Sequence, residues 1–196
     1  NPYGEHFNRL GYRGPAPDDP KPAGEYRIFI LGGSTVYVGS KAFDGFESIP
    51  EHLQSLFHTA GHDNVKIYNF GVPSSVSGQE LARLVYELID HAPDLIVMYN
   101  GGNDLLAPLS YDPRPGYPFN FAVHEANPLL IRDLGNYPLM NLMVLGTNLG
   151  RWLLRSYIEN SLLRMSDLKE KSGWGSENWI RAIAKSYVSN ITKAAS

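Results

Sequence analysis

Cysteine is absent from this 196-residue sequence, which excludes a disulfide framework, a thiolate metal site and a cysteine nucleophile together. Also lacking is any apolar run long enough to span a bilayer. A large excess of either charge is missing too. With a formal net charge of −3, no general field draws nucleic acid or an anionic membrane, so a small or neutral ligand has to be recognised by a local site. The one basic stretch, residues 151–196 with eight Lys or Arg against four Asp or Glu, reads as a solvated helical face. No initiating Met is present. The opening at Asn1-Pro2, without a signal-peptide pattern, reads as a trimmed or processed start.

What is present suits one globular domain: 43% of residues are hydrophobic and 19% charged. Residues 1–25 form an arm whose run Pro15-Ala16-Pro17-Asp18-Asp19-Pro20, followed by Pro22, rules out regular helix or central strand. The domain proper is expected over 26–196. Tyr26 to Leu31, Val65 to Phe70 and Asp94 to Tyr99 are short, β-branched or aromatic runs that read as buried strands. Between the first two, Ser48-Ile49-Pro50-Glu51 is a capping box with Pro in the first turn, opening a helix that ends near Gly61. Between the second and third, Ser77-Gly78-Gln79-Glu80 reads as another capping box, with Leu81, Leu84, Val85, Leu88 and Ile89 on one stripe and Pro93 as the stop. Strands alternating with crossover helices imply a parallel sheet, whose ligands bind beyond the carboxyl ends of the strands. Residues 105–150, rich in Pro, Gly and scattered aromatics, are expected to be an irregular insertion flanking that site, with helix returning at Trp152 to Leu163 and from Trp179 to Ile191.

Small polar clusters stand at all three strand ends: Gly32-Gly33-Ser34-Thr35, Asn69-Phe70-Gly71 and Asn100-Gly101-Gly102-Asn103-Asp104. A hydroxyl nucleophile needs a tight, exposed turn, and the glycines before Ser34 permit one. Acyl transfer also needs donors aimed at a developing oxyanion. The backbone N–H of Gly71 and the side-chain amide of Asn103 have the right chemistry for that.

These clusters resemble the blocks of the SGNH (GDSL-like) hydrolase superfamily. Leu31-Gly32-Gly33-Ser34-Thr35 is similar to the first block, with Gly33 where the commoner pattern has Asp; Tyr68-Asn69-Phe70-Gly71 is similar to the second, and Gly101-Gly102-Asn103-Asp104 matches the GxND of the third. The resemblance spans roughly residues 26 to 110, and Asn8-Arg9-Leu10-Gly11-Tyr12-Arg13-Gly14 resembles the arm before the first block in many bacterial members. It implies a flavodoxin-like three-layer α/β/α fold and a serine esterase without metal or organic cofactor. Ser34 would be the nucleophile, its own N–H, the Gly71 N–H and Asn103 the oxyanion hole, and Thr35 and Asp104 supporting residues. It also implies an ester of a small molecule or carbohydrate as substrate, and an extracytoplasmic or membrane-anchored setting for the arm.

The family's fourth block, Asp-x-x-His, is not found. None of His6, His52, His58, His62, His91 and His124 has an acidic residue three positions before it. The expectation is therefore an SGNH fold incomplete at its C-terminus, with the catalytic His and Asp beyond Ser196. An acyltransferase working on a polysaccharide and a non-catalytic binding or assembly module share these features. A zinc pair at His58 and His62 lacks a third ligand, and the glycines after the first strand lack the spacing of a phosphate-binding loop.

Overall fold

A computed structural model describes residues 7–38, 45, 47–110, 112–118, 148–149, 152 and 167–196. The chain divides into two compact units, Asn1–Asp104 with Lys185–Ser196, and Leu105–Ala184. The first unit is α/β, with a three-stranded parallel sheet flanked by helices. Its strands are β1 (Tyr26–Gly32), β2 (Val65–Gly71) and β3 (Leu95–Tyr99), in the order β2-β1-β3. That order matches the first three strands of the flavodoxin-like arrangement. Pairing runs from Tyr26 opposite Val65 to Gly32 opposite Gly71, and from Ile28 opposite Leu95 to Gly32 opposite Tyr99. The polar clusters at the three strand ends therefore lie at one edge of the sheet.

Alternation along β1 and β2 sends apolar side chains to both faces, as a sheet covered on two sides requires. Ile28, Ile30, Val65 and Ile67 pack with Val36 and with Leu53 and Phe57 of α2 (Ile49–Thr59). On the other face Phe29, Leu31, Tyr68 and Phe70 pack with Leu84, Leu88 and Tyr12. The helices thus lie on opposite sides, with α1 (Ser34–Tyr37) and α2 on one and α3 (Ser77–Arg83) with its continuation on the other. β3 departs from the expected burial. Leu95, Val97 and Tyr99 are exposed because, among the described residues, β3 has no outer neighbour and α2 packs on the β1 and β2 part of that face.

The α2 start is as expected: Ser48 Oγ accepts from the Glu51 N–H and the Glu51 carboxylate accepts from the Ser48 N–H, with Pro50 in the first turn. The α3 start is shifted by one residue. Val76 is the N-cap, its N–H donates to Gln79 Oε1 at 3.2 Å, and Ser77 and Glu80 serve other partners. Beyond Arg83 the helix widens into a π turn over Leu84–Leu88, closed by the Ile89 N–H on the Leu84 carbonyl. This wider winding leaves Leu84 and Leu88 buried and turns Val85 and Ile89, expected on the same stripe, to solvent.

The arm is fastened to the first unit. Tyr12 is buried edge-on against Phe70, and its hydroxyl donates to Glu87 at 2.9 Å. Arg27, a charge in the middle of an apolar strand, is almost wholly buried. It pairs with Glu25 at 2.5 Å and donates to the Asp18 and His91 carbonyls at 2.7 Å each. Every buried charge needs such partners.

Helix α4 (Gly102–Ser110) begins in the third polar cluster and carries regular structure into a stretch expected to be irregular, with Pro108 inside it. In the second unit Trp179 is buried and donates to the Pro113 carbonyl at 2.7 Å, while Arg114 pairs with Asp112 at 2.5 Å and lies 3.6 Å from the Tyr117 ring centroid. The last helix, α5 (Glu177–Ala194), forms where helical periodicity predicts it. The rest of the expected insertion and almost all of the helix expected over 152–163 lie outside the described residues. Among the described residues no helix is long and apolar enough to cross a membrane.

Candidate active site

A cavity of about 300 Å³ opens at the carboxyl ends of β1 and β3 and is lined by Gly33, Ser34, Thr35, Ser75, Tyr99, Asn100, Gly101, Gly102 and Asn103. This is where the two crossovers leave in opposite directions, the switch point at which open α/β sheets bind ligands. Two of the three expected catalytic residues, Ser34 and Asn103, meet in this cavity.

Ser34 opens α1 immediately after β1, and both it and Thr35 are exposed. The turn is held by the Val36 and Tyr37 N–H groups on the Gly33 carbonyl. Its compactness depends on missing side chains. A Cβ on Gly32 would lie 2.5 Å from both the Tyr99 carbonyl and Val36, and one on Gly33 would lie 2.5 Å from Asn103 Nδ2. The bare Gly33 therefore lets the Asn103 amide approach the chain beside the candidate nucleophile. Asn103 is fixed by donating one hydrogen to the Ser75 carbonyl at 2.8 Å, which leaves its second N–H for a ligand.

Gly71 is placed differently. It is absent from the cavity lining, and its N–H, expected to serve the oxyanion, donates to Asn69 Oδ1 at 2.9 Å. Asn69 also donates to the Val36 carbonyl at 3.0 Å, tying α1 to the end of β2. Glycine is required here for clearance, since a Cβ would lie 2.4 Å from the Tyr37 nitrogen. Asp104, expected to support the site, is buried in the first turn of α4 and accepts from the Ser77 N–H at 3.0 Å and from the Ser77 hydroxyl at 2.5 Å. Asn190 of α5 donates to the same hydroxyl at 3.0 Å.

Several site residues escape a motif-based reading. Ser75 carries the carbonyl that fixes Asn103, within a turn where its N–H returns to the Val72 carbonyl and Pro73 precedes Ser74. Ser74 sits at φ +61°, a left-handed conformation uncommon for serine. Gly101, at φ +103°, turns the chain from β3 into α4 and could not be replaced without strain.

Among the described residues no histidine lines the cavity. His52 is bonded to Glu47 at 3.1 Å and His58 to Asp63 at 2.5 Å, both on the exposed side of α2. His6 and His124 lie outside the described residues. Among the described residues no group of three or more His, Asp or Glu side chains is gathered as a metal site.

No family model matches this chain, and no curated protein matches it. A solved structure, a mutant of the esterase AlinE4, is similar to it at 31% identity with a TM-score of 0.37. The likeness covers 44% of this chain and 45% of that one, so less than half of the esterase is matched. The functional reading below therefore rests on the geometry of the cavity.

Proposed function

We propose that this chain carries the nucleophile and oxyanion side of a serine-dependent carboxylic ester hydrolase of the SGNH type. The observation that carries the reading is the meeting of an exposed serine, on a glycine-lined turn after β1, with an amide donor fixed by a backbone carbonyl in one cavity. Ser34 Oγ would attack an ester carbonyl, and the oxyanion would be held by the Ser34 N–H and Asn103 Nδ2. The alcohol leaves with a proton, and water then releases the acyl group from Ser34. With its N–H taken by Asn69, Gly71 serves this reading by letting α1 sit on β2. The proton on Ser34 needs a base. None of the described lining residues is His, Asp, Glu or Lys, so the base must be brought to Ser34 from outside them. The cavity suits a short acyl group or an acetyl ester of a sugar.

That same lining favours one alternative, an ester-binding module without turnover. The two are separated by a fluorophosphonate probe and a short-chain aryl ester. Covalent labelling that disappears in Ser34→Ala, with aryl-ester turnover above the buffer rate, supports the hydrolase. Equal labelling of both proteins refutes the nucleophile. Binding of the ester without turnover or labelling favours the module.

A further inference from the structure

Directly behind the cavity lies a carboxyl group that the reading above leaves without a task. Glu80 of α3 is completely buried. Its Oε1 is 2.9 Å from the Ser75 hydroxyl, and its Oε2 accepts from Asn100 Nδ2. The Ser75 hydroxyl is also 3.2 Å from the Gly32 carbonyl. A hydroxyl has one hydrogen to give. If Glu80 is ionised, both neighbours of Ser75 Oγ are acceptors and only one of the two contacts can be a hydrogen bond. A proton on Oε1 resolves the conflict: Glu80 donates to Ser75, Ser75 donates to Gly32, and Oε2 still accepts from Asn100.

We propose that Glu80 is a neutral carboxylic acid that positions the oxyanion side of the Ser34 site, an inference that rests on the serine-hydrolase reading. The groups it joins are those that shape the cavity. Gly32 precedes the Gly33-Ser34 turn, the Ser75 carbonyl fixes Asn103 Nδ2, and Asn100 lines the wall. Asn100 is held from its other side by the Tyr187 hydroxyl of α5 at 3.0 Å. One side chain thus ties together the ends of β1 and β3 and the turn that leads into α3. Glu80 touches no reacting atom and acts through Ser75 and Asn100.

The surroundings favour the neutral form. Removal from water raises the Glu80 pKa most, and the Asp104 carboxylate of α4 adds to this. The hydrogen bond from Asn100, the bond that the Ser75 hydroxyl would give an ionised carboxylate, and the charge of Arg83 on its own helix oppose it. The other titratable group on this network is the Tyr187 phenol, which meets Glu80 only through Asn100.

The test compares the full chain with Glu80→Gln and Glu80→Ala, using Ser34→Ala as background. The glutamine amide can donate to Ser75 while its oxygen accepts from Asn100, so Glu80→Gln should label with the fluorophosphonate within about threefold of the parent. Glu80→Ala should lose about tenfold to a hundredfold, as expected when a catalytic donor is displaced by up to about 1 Å. The parent's labelling rate should decline as pH rises through the ionisation of Glu80, and the Glu80→Gln rate should not. A glutamine variant as impaired as the alanine variant, or one that shares the alkaline decline, overturns the proposal. Two readouts do not depend on labelling: the carboxyl carbon resonance of labelled Glu80, which should titrate above the ordinary glutamate range, and the Asn103 side-chain amide resonances, which should move in Glu80→Ala but not in Glu80→Gln. Titration at the ordinary value overturns the proposal whether or not Ser34 reacts. Absence of labelling in the parent overturns the hydrolase reading alone, and if Glu80→Ala fails to fold, the parent and glutamine proteins still decide the matter.

Discussion

Replacing Gly33 by alanine should damage the site through a single atom, and the damage should depend on Asn103. The new Cβ would lie 2.5 Å from Asn103 Nδ2, well inside the contact distance of about 3.4 Å for such atoms, so the amide must retreat by about 1 Å. Its 2.8 Å bond to the Ser75 carbonyl would then stretch to roughly 3.8 Å, beyond hydrogen-bonding range. Overpacking and the lost bond together predict a destabilisation of about 1–3 kcal/mol, read as a lowered urea midpoint. Displacement of an oxyanion donor predicts a loss of about a hundredfold to a thousandfold in Ser34 reactivity towards the fluorophosphonate. The decisive measurement is a double-mutant cycle. Asn103→Ala alone should cost about 1 kcal/mol for the lost bond, and once that amide is gone the Cβ at position 33 has nothing to strike. The double variant should therefore be about as stable and as reactive as Asn103→Ala, giving a coupling of about 1–3 kcal/mol. Additive effects on both stability and labelling would falsify the placement of Asn103 over Gly33.

Ser34→Ala should abolish labelling while shifting stability by no more than about 0.5 kcal/mol, because the side chain is exposed; circular dichroism and urea unfolding check this. Arg27→Ala should cost about 3–5 kcal/mol, since it leaves Glu25 and two carbonyls without their buried partner, and a midpoint within error of the parent refutes it. Ser74→Gly should stabilise by up to about 1 kcal/mol, because glycine adopts φ +61° without the steric cost that serine bears; a lowered urea midpoint goes against it. Tyr12 and Tyr68 are both pushed up to about 12, in each case chiefly by burial, with Glu87 beside Tyr12 and Glu25 beside Tyr68 reinforcing it. A raised folded-state value means their stabilisation is complete below about pH 10 and lost as pH rises towards about 12, so alkaline unfolding should be less steep in Tyr12→Phe.

The features legible in the sequence were those that local chemistry decides. Three apolar runs between turn signals became β1, β2 and β3, and the Ser48 and Glu51 capping box formed because both partners lie within one helical turn. That Ser34 and Asn103 share a cavity was foreseeable because strand-end clusters in a parallel sheet converge on one edge. What escaped was decided by residues far apart. Ser77 and Glu80 have the spacing of a capping box, but Asp104 takes the Ser77 hydroxyl and Glu80 is claimed by Ser75 and Asn100, leaving Val76 and Gln79 to start α3. Gly71 read as a donor because its backbone N–H stands at a strand end beside the other two clusters. Only the closeness of Tyr37 shows that its lack of a side chain matters for clearance. The exposed face of β3 was equally hidden, since an apolar run looks the same in an edge strand as in a central one.

The bonds from Tyr187 to Asn100 and from Asn190 to Ser77 close loops of 87 and 113 residues. Contacts of such long sequence separation form late, because the chain entropy lost in closing them must be offset by structure already in place. On a ribosome, the strands and the Ser34 turn would emerge and pair well before the helix that holds Asn100 from behind. The newborn chain would then pass through an interval in which its sheet is built but its cavity wall is not. Tyr187 and Asn190 would thus brace the cavity wall only once α5 has docked.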